Sequence, residues 1–322
     1  MSDISHLPFR SPAISPDSDP RSVIARHGRS FHFASKLLDR ETASRCARLY
    51  RFCRYVDDIA DQARDAGRAQ LRLLQIQEDL SAGRSGDPIV FDFLVLSDQC
   101  DINREPAIEL VCGVRSDLGR VRIPDVAALH QYCFRVAGTV GLMMCDVLDV
   151  TNPRASAYAI DLGIAMQLTN IARDVGEDAL ANRRYIPASL LGEVEPEEIV
   201  NPGPELEERL AGAVRWLLEE ADCYYRSGER GMGFLPDRAR LGIRASALIY
   251  RHIGNVIRAH HYTSWQGRAV VPGWRKALLS LRACAREINE RGAELPVRHQ
   301  THLHRELVSS SGFPVSSLRF GD

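Results

Sequence analysis

From Gln167 to Pro187 the chain reads Gln-Leu-Thr-Asn-Ile-Ala-Arg-Asp-Val-Gly-Glu-Asp-Ala-Leu-Ala-Asn-Arg-Arg-Tyr-Ile-Pro. The stretch to Asp178 reads as helix. At about 100° per residue, Ile164, Leu168, Ile171 and Val175 form one apolar row. Asn170, Asp174 and Asp178, four apart, form a polar row that borders it. Two carboxylates one turn apart on the rim of a buried face are costly to hold without a compensating charge. A divalent cation is the usual compensation, and Mg²⁺ takes one or two carboxylates together with substrate phosphates. The plainer reading is a solvated helix edge with an ordinary pair of acids. Gln167, Asn170 and the basic segment that follows weigh against it.

A second acidic pair lies in Tyr50-Arg-Phe-Cys-Arg-Tyr-Val-Asp-Asp-Ile-Ala-Asp61. On a helical wheel Tyr50, Arg54, Asp57 and Asp61 fall within about 60° of one another. Asp58 is off that row, and Phe52, Val56 and Ile59 fall roughly opposite. Alone, this is also the pattern of an amphipathic surface helix. The two pairs together say more. Each is Asp-x-x-x-Asp, each is on its own helix, and each has an Arg one turn or less before its first acid (Arg54, Arg173). Facing each other across a bundle, such rows would hold several divalent ions. Those ions would bind a diphosphate and stabilise it as a leaving group. Arg side chains would take the remaining phosphate charge. The chemistry that fits is ionisation of an allylic diphosphate to a carbocation, which needs no side-chain nucleophile.

The elements that must position these rows read as helices throughout. The spacing predicts helices over Arg21–Leu38, Arg40 to about Arg64, Arg68–Ala82, Ile89–Gln99 and Pro106–Leu118. Further helices are expected from Pro124 to about Val150, over Pro153–Asp178, from Glu205 to about Gly228, from Pro236 to about His260 and over Pro272–Arg291. Asn182–Glu195 reads as a structured loop or short helical turn. No alternating strand pattern of useful length occurs. The expectation is an all-α, single-domain bundle of about eight to ten helices around a central cavity. Residues 1–20 read as a disordered lead, 21–294 as the helical domain and 295–322 as a loose polar tail.

Composition bounds the function. The 322 residues are 45% hydrophobic and 26% charged, in the globular range. The net charge of −1 provides no field for nucleic acid. The basic residues are nearly all Arg, with Lys only at 36 and 276. Eight cysteines contain no Cys-x-x-Cys pair and read as buried reduced thiols of a cytoplasmic protein. The N-terminus lacks the pattern of a signal peptide, and no apolar run approaches the roughly 18 residues of a spanning helix.

Several motifs resemble the squalene/phytoene synthase family. They are Ser30-Phe-x-x-Ala34, Leu49-Tyr-x-x-Cys-Arg-x-x-Asp-Asp-x-x-Asp61, Tyr132-Cys-Phe-Arg-Val-Ala-Gly-Thr-Val-Gly141, Gln167-Leu-Thr-Asn-Ile-x-Arg-Asp-x-x-Glu-Asp178 and Arg184-Tyr-x-Pro187. The resemblance spans about residues 22 to 285. The wording Gln-Leu-Thr-Asn-Ile-Ala-Arg-Asp-Val-Gly-Glu-Asp-Ala is most similar to the family's phytoene-forming members.

The resemblance implies an isoprenoid-synthase fold and a prenyltransferase. It would join two geranylgeranyl diphosphates head to head through a cyclopropyl diphosphate to phytoene, the first committed step of carotenoid biosynthesis, of 15-cis or all-trans geometry. By similarity, Asp57, Asp61, Asp174 and Asp178 are ligands of two or three Mg²⁺ or Mn²⁺ ions. Arg54 and Arg173 contact diphosphate or neighbour those contacts. Gln167 and Asn170 extend the second polar row toward metal and diphosphate, and Tyr50, Tyr132 and Tyr185 line the cavity. His27 and Ser30 match a first helix that approaches a diphosphate. Ala137, Val140 and Gly141 match a segment beside the prenyl tails, where small residues leave room for a long chain; close helix packing is the other reading. Arg268, in Arg268-Ala-Val-Val-Pro-Gly-Trp-Arg-Lys276, either reaches a phosphate or is solvated.

No NADPH is expected for phytoene formation. The alternatives are a squalene or dehydrosqualene synthase using farnesyl diphosphate, and a non-catalytic family member acting as an assembly factor. Retention of all four acids counts against the latter. The acid-rich helices of chain-elongating prenyl synthases and terpene cyclases do not share this wording. A long-chain substrate implies peripheral contact with the inner face of the membrane, and association with other carotenoid enzymes is a further expectation.

Overall fold

The helix that carries the first acidic pair starts at a well-made cap: the Asp39 carboxylate accepts from the N–H groups of Glu41 and Thr42 and opens Arg40–Asp61. The computed structural model describes residues 19–27, 38–289, 299–305 and 307. Before that cap lies Pro20–His27. After it come Ala66–Ala82, capped by Asp65 and ended by Gly83 at φ 67°, where a left-handed backbone favours glycine. Pro88–Cys100 follows, opened by Asp87 and a proline in the first turn. Glu105–Arg115 then tightens into a 3₁₀ turn, Ser116–Leu118, where one helix to Leu118 was expected.

The helix expected from Pro124 is a rod with a wide turn in it. Val126–Cys133 and Thr139–Val147 are α-helical, and Phe134–Gly138 between them is a π turn. The helix expected through Asp178 ends at Arg173. Asp174, at φ −101° and ψ 15°, separates Ala155–Arg173 from Val175–Leu180. The hydrogen bonds Asp174 N–H to Asn170 O (2.9 Å) and Asp178 N–H to Asp174 O (2.8 Å) span the break, so the polar row survives it. Short helices Ala188–Leu191 and Pro196–Val200 precede the long Pro204–Arg230, Asp237–Ala259 and Gly273–Asn289.

The fold is all-α. Among the described residues the strands are two-residue pieces, Val121–Arg122 and Arg183–Arg184. They pair in parallel as Val121 with Arg183 and Arg122 with Arg184. No pattern of length two can be read from sequence. Yet this pair brings the turn at Asp117 beside the segment holding Arg183 and Tyr185.

Two apolar clusters build the body. One gathers Leu49, Phe52, Val56, Leu73, Ile76, Phe93 and Leu110 around Arg40–Asp61. The other gathers Ile164, Leu168, Ile171, Leu210, Val214 and Leu217 around Ala155–Arg173 and Pro204–Arg230. The apolar row of the second acidic helix is therefore core. Each such fully buried side chain contributes about 1.5–3 kcal/mol. Where Thr139–Val147 crosses Ala155–Arg173 the backbones touch: a Cβ on Gly141 would lie 2.3 Å from the Ala159 carbonyl oxygen.

Residues 299–305 fall in the stretch expected to be loose. Here they are pinned. Asp161, fully buried in the middle of Ala155–Arg173, accepts from His299 Nε2 at 2.6 Å and His304 Nε2 at 2.7 Å. These are hydrogen-bond spacings, too close for an ion between the atoms. The two rings hold the Asp161 carboxyl below the usual range despite its burial. Leu303 and Leu307 join the neighbouring core, and the Tyr224 hydroxyl donates to Leu303 O at 2.8 Å.

Candidate active site

A cavity of about 190 Å³ opens between the two clusters. Asp57 and Asp61 come to it from the end of one helix; Gln167, Asn170, Asp174 and Asp178 come from the other side. Tyr132, Tyr185, Asp117 and Arg183 complete its polar wall, and Ala60, Val114, Val136 and Ile171 its apolar one. The two polar rows therefore face one hollow, each backed by its own core. The π turn puts Val136 on the wall, the widening that such turns often supply at functional sites.

Five aspartates in one hollow repel one another, and burial makes that repulsion harder to screen. Burial first, then the charge of Asp61 against the relief from Arg54, pushes Asp57 up to about 7. Burial pushes Asp117 up to about 6, although the hydroxyls of Tyr185 (2.7 Å) and Tyr132 (3.0 Å) donate to it. Asp178 is raised well above the carboxylate range by burial and by Asp174. The rings of Tyr132 and Tyr185 stack 4.9 Å apart, so the two tyrosines hold each other and Asp117 together.

Arginines partly offset this charge. Arg183 Nη1 donates to Asp61 at 2.9 Å. Arg173 grips both oxygens of Asp174, at 2.7 and 2.5 Å. Arg268 Nε lies 3.1 Å from Asp174 and its Nη1 3.2 Å from Glu177. Gly176 permits that approach: a Cβ there would meet the Trp265 carbonyl oxygen at 2.6 Å, so only glycine lets the 265–268 segment lie against the acidic helix. Arg54 does not pair along its row. It binds Asp58, at 2.5 Å, a residue 5% exposed.

The other expected residues divide. Tyr50 is half-buried and packs with Tyr55 against Val23 and Ile89; it does not line the cavity, but it lies within electrostatic reach of Arg54, Asp57 and Tyr250. Gly141 is consumed by the helix crossing, Ala137 offers its carbonyl to the crossing at Gly163, and Val140 packs against the first apolar cluster. None of the three lines the cavity, so close packing accounts for them better than room for a chain. The His27 side chain and all of Ser30 lie outside the described residues. Sequence reasoning missed Asp117 and Arg183. Asp117 sits in an unremarkable Arg-Ser-Asp-Leu-Gly stretch with no local signal; Arg183 stands within the basic segment after the second acidic pair, and no role was drawn from it.

A cation fits this donor set. The donors are oxygens throughout, as hard divalent ions prefer. Asn170 donates through Nδ2 to Gln167 Oε1 at 3.2 Å, but its buried Oδ1 has no hydrogen-bond partner among the described residues. An orphaned carbonyl oxygen beside a row of carboxylates is an acceptor looking for positive charge. Elsewhere the eight cysteines are free, with Cys46 and Cys145 pushed up to about 12 by burial, as inert core thiols are.

Known proteins resemble this chain along most of its length. A family model described as squalene/phytoene synthase matches residues 24–275. The 15-cis-phytoene synthase of Synechococcus elongatus is 33% identical over 271 residues, covering 80% of this chain and 88% of that protein. The phytoene synthase of Rhodobacter capsulatus is 35% identical over 265 residues, covering 80% and 78%. Among solved structures, a dehydrosqualene synthase in complex with ligand is similar at a TM-score of 0.71 and 26% identity, covering 84% of this chain and 95% of that one. A squalene synthase from Alicyclobacillus acidocaldarius shares the fold at a TM-score of 0.66 and 20% identity, covering 76% and 93%.

Proposed function

The chain belongs to the squalene/phytoene synthase family, enzymes of the prenyltransferase type, and we propose that it condenses two geranylgeranyl diphosphates head to head, through prephytoene diphosphate, to phytoene. What carries this reading is the pair of aspartate rows meeting in one hollow with an orphaned amide oxygen beside them. The relatives named phytoene synthase support the C20 substrate over the C15 one.

Asp57, Asp61, Asp174 and Asp178 are assigned as the metal ligands. Mg²⁺ or Mn²⁺ bound there supplies Lewis-acid stabilisation of the diphosphate as it leaves. The chain's own residues do the rest. Arg183, Arg173 and Arg268 neutralise carboxylates in the absence of substrate. When a diphosphate brings its own charge, these guanidiniums are placed to exchange a carboxylate for a phosphate oxygen, for which their planar forks are suited. The stacked Tyr132 and Tyr185 offer ring faces that steady a developing carbocation. Their hydroxyls are held by Asp117, which keeps both rings in place through the two ionisations. The apolar wall excludes water that would otherwise capture the cation.

The test is product analysis after incubation with geranylgeranyl diphosphate and Mg²⁺ or Mn²⁺, in parallel with farnesyl diphosphate, each with and without NADPH. Phytoene without NADPH is the expected product. A C30 hydrocarbon alone would move the chain to the squalene or dehydrosqualene branch. Inactivity on both diphosphates would revive the assembly-factor reading.

A further inference from the structure

The Gly273–Asn289 helix buries one side and leaves an apolar stripe on the other. Leu279, Ser280, Ala283 and Glu287 face the protein, and Glu287 accepts from Arg240 Nε at 2.5 Å. Trp274 (67% exposed), Leu278 (49%) and Leu281 (67%) lie at i, i+4 and i+7 on the outer side, with exposed Ala277 and Ala285 beside them. Val270, 68% exposed, extends the stripe into the preceding segment. An apolar row of this length left in water marks a surface that is covered in use.

The charges around it select what covers it. From Arg268 to Arg286 the sequence holds five basic residues and no acid, in a chain whose net charge is −1. On the helical wheel Arg275, Arg282 and Arg286 cluster along one border of the stripe, about 80–120° from Trp274, and Arg286 is turned to Glu229 at 3.6 Å, which leaves Arg275 and Arg282 to border the stripe. Arg275 also lies over the Trp274 ring, 5.3 Å from its centre. A second copy of this face is a poor occupant, because a twofold contact brings Arg275 and Arg282 of each copy toward those of the other, with no acid on the exposed side of this helix to oppose them. A bilayer with anionic headgroups meets both features: apolar side chains enter the acyl boundary, Trp sits at the interface, and Arg binds phosphate.

We propose that the outer face of the Gly273–Asn289 helix, through Trp274, Leu278 and Leu281 flanked by Arg275 and Arg282, docks the protein on an anionic phospholipid surface. No described helix is long and apolar enough to cross a membrane. The docked face is close to the site. Arg268, in contact with Asp174, is six residues from Trp274, within about 20 Å of chain. The proposal goes beyond the reaction assigned above and does not depend on it, since binding is read without substrate.

Co-sedimentation with vesicles of phosphatidylcholine alone, and of phosphatidylcholine with phosphatidylglycerol, tests it at low and high salt. The wild-type full chain binds the anionic vesicles, and binding weakens as salt rises. Trp274→Glu combined with Leu281→Glu lowers the partition coefficient by at least about tenfold. Both positions are solvent-exposed, so circular dichroism and Tm stay those of the wild type. Arg282→Gln lowers binding about fivefold on anionic vesicles and leaves neutral ones unaffected. Brominated lipid quenches a tryptophan signal that disappears in Trp274→Phe. Absence of wild-type binding to anionic vesicles overturns the proposal. So does full binding by the double variant, and so does a wild-type dimer that the double variant converts to monomer without any lipid effect.

Discussion

On the Arg40–Asp61 helix the nearest guanidinium, Arg54, turns to Asp58, and Asp61 takes Arg183 from across the cavity. On the opposite side Arg173 and Arg268 both close on Asp174. Each row thus holds one acid gripped by arginine and one that burial pushes up despite the more distant relief of an arginine: Asp57 in the first, with Arg54, and Asp178 in the second, with Arg183. The same Asp-x-x-x-Asp spacing has two electrostatic outcomes: the second acid of the first row is gripped by Arg183 from another element, and the first acid of the second row by the preceding Arg173 together with Arg268 from another segment. In both rows the raised acid is what a metal ion would stabilise, and the gripped acid is where arginine would be released toward a diphosphate.

The sharpest way to break this comparison is to remove one carboxylate from each row. Asp57→Asn and Asp174→Asn are each expected to lower turnover by at least about a thousandfold, with the helical circular dichroism unchanged, since each removes a ligand worth several kcal/mol of leaving-group stabilisation. Their stabilities should then diverge. Without metal at pH 8, Asp57→Asn gains on the order of 1 kcal/mol, having lost a disfavoured charge. Asp174→Asn loses about 1–3 kcal/mol, having removed the carboxylate that Arg173 grips and one of the two acids that Arg268 pairs with. Urea melts in chelator measure both; equal shifts of the same sign would remove the distinction between the rows.

The pH dependence follows from the same difference. The folded chain holds the Asp57 proton up to about 7, whereas an unfolded aspartate releases it near its ordinary value of about 3.9. Below that lower value both states are protonated and there is no penalty. Across the window from roughly 4 to 7 the unfolded state ionises first, so the metal-free protein loses stability as pH rises. The wild type minus Asp57→Asn difference in melts at pH 5 and pH 8 should show this loss. Divalent cation should reverse it, because binding requires the carboxylate and strengthens as pH rises.

Smaller effects sharpen the account of the walls. Tyr185→Phe removes the 2.7 Å donor to Asp117, and about a ten- to hundredfold drop in kcat is expected, as for other groups that orient a charged site. Arg268→Gln leaves Arg173 on Asp174, so its main effect is expected on diphosphate binding: KM rises about tenfold with kcat changed less. A change in kcat alone would place Arg268 on the reacting atoms rather than on the bound diphosphate.

Much of the frame was legible in the sequence. The apolar row Ile164–Leu168–Ile171–Val175 is core, and the acids at spacing four stayed aligned even across the break at Asp174, because hydrogen bonds at the helical spacing persist on both sides of it. Local periodicity carries such information. Asp117 was not legible: its role comes from two tyrosine hydroxyls and a two-residue strand pair that join segments more than sixty residues apart. Gly141 was ambiguous for a related reason, since room for a ligand and room for a neighbouring helix ask for the same small residue.

Residue order alone determined that this chain is helical, that two helices carry acids on one edge and apolar residues on another, and which family it resembles. All of these rest on interactions within a few turns of one chain segment. Tertiary structure alone decided that the two edges share a hollow, that Arg183 serves Asp61 while Arg268 serves Asp174, and that Asp161 anchors His299 and His304. Charge pairing acts through space over a few ångströms, and which groups come that close is set by how the helices pack.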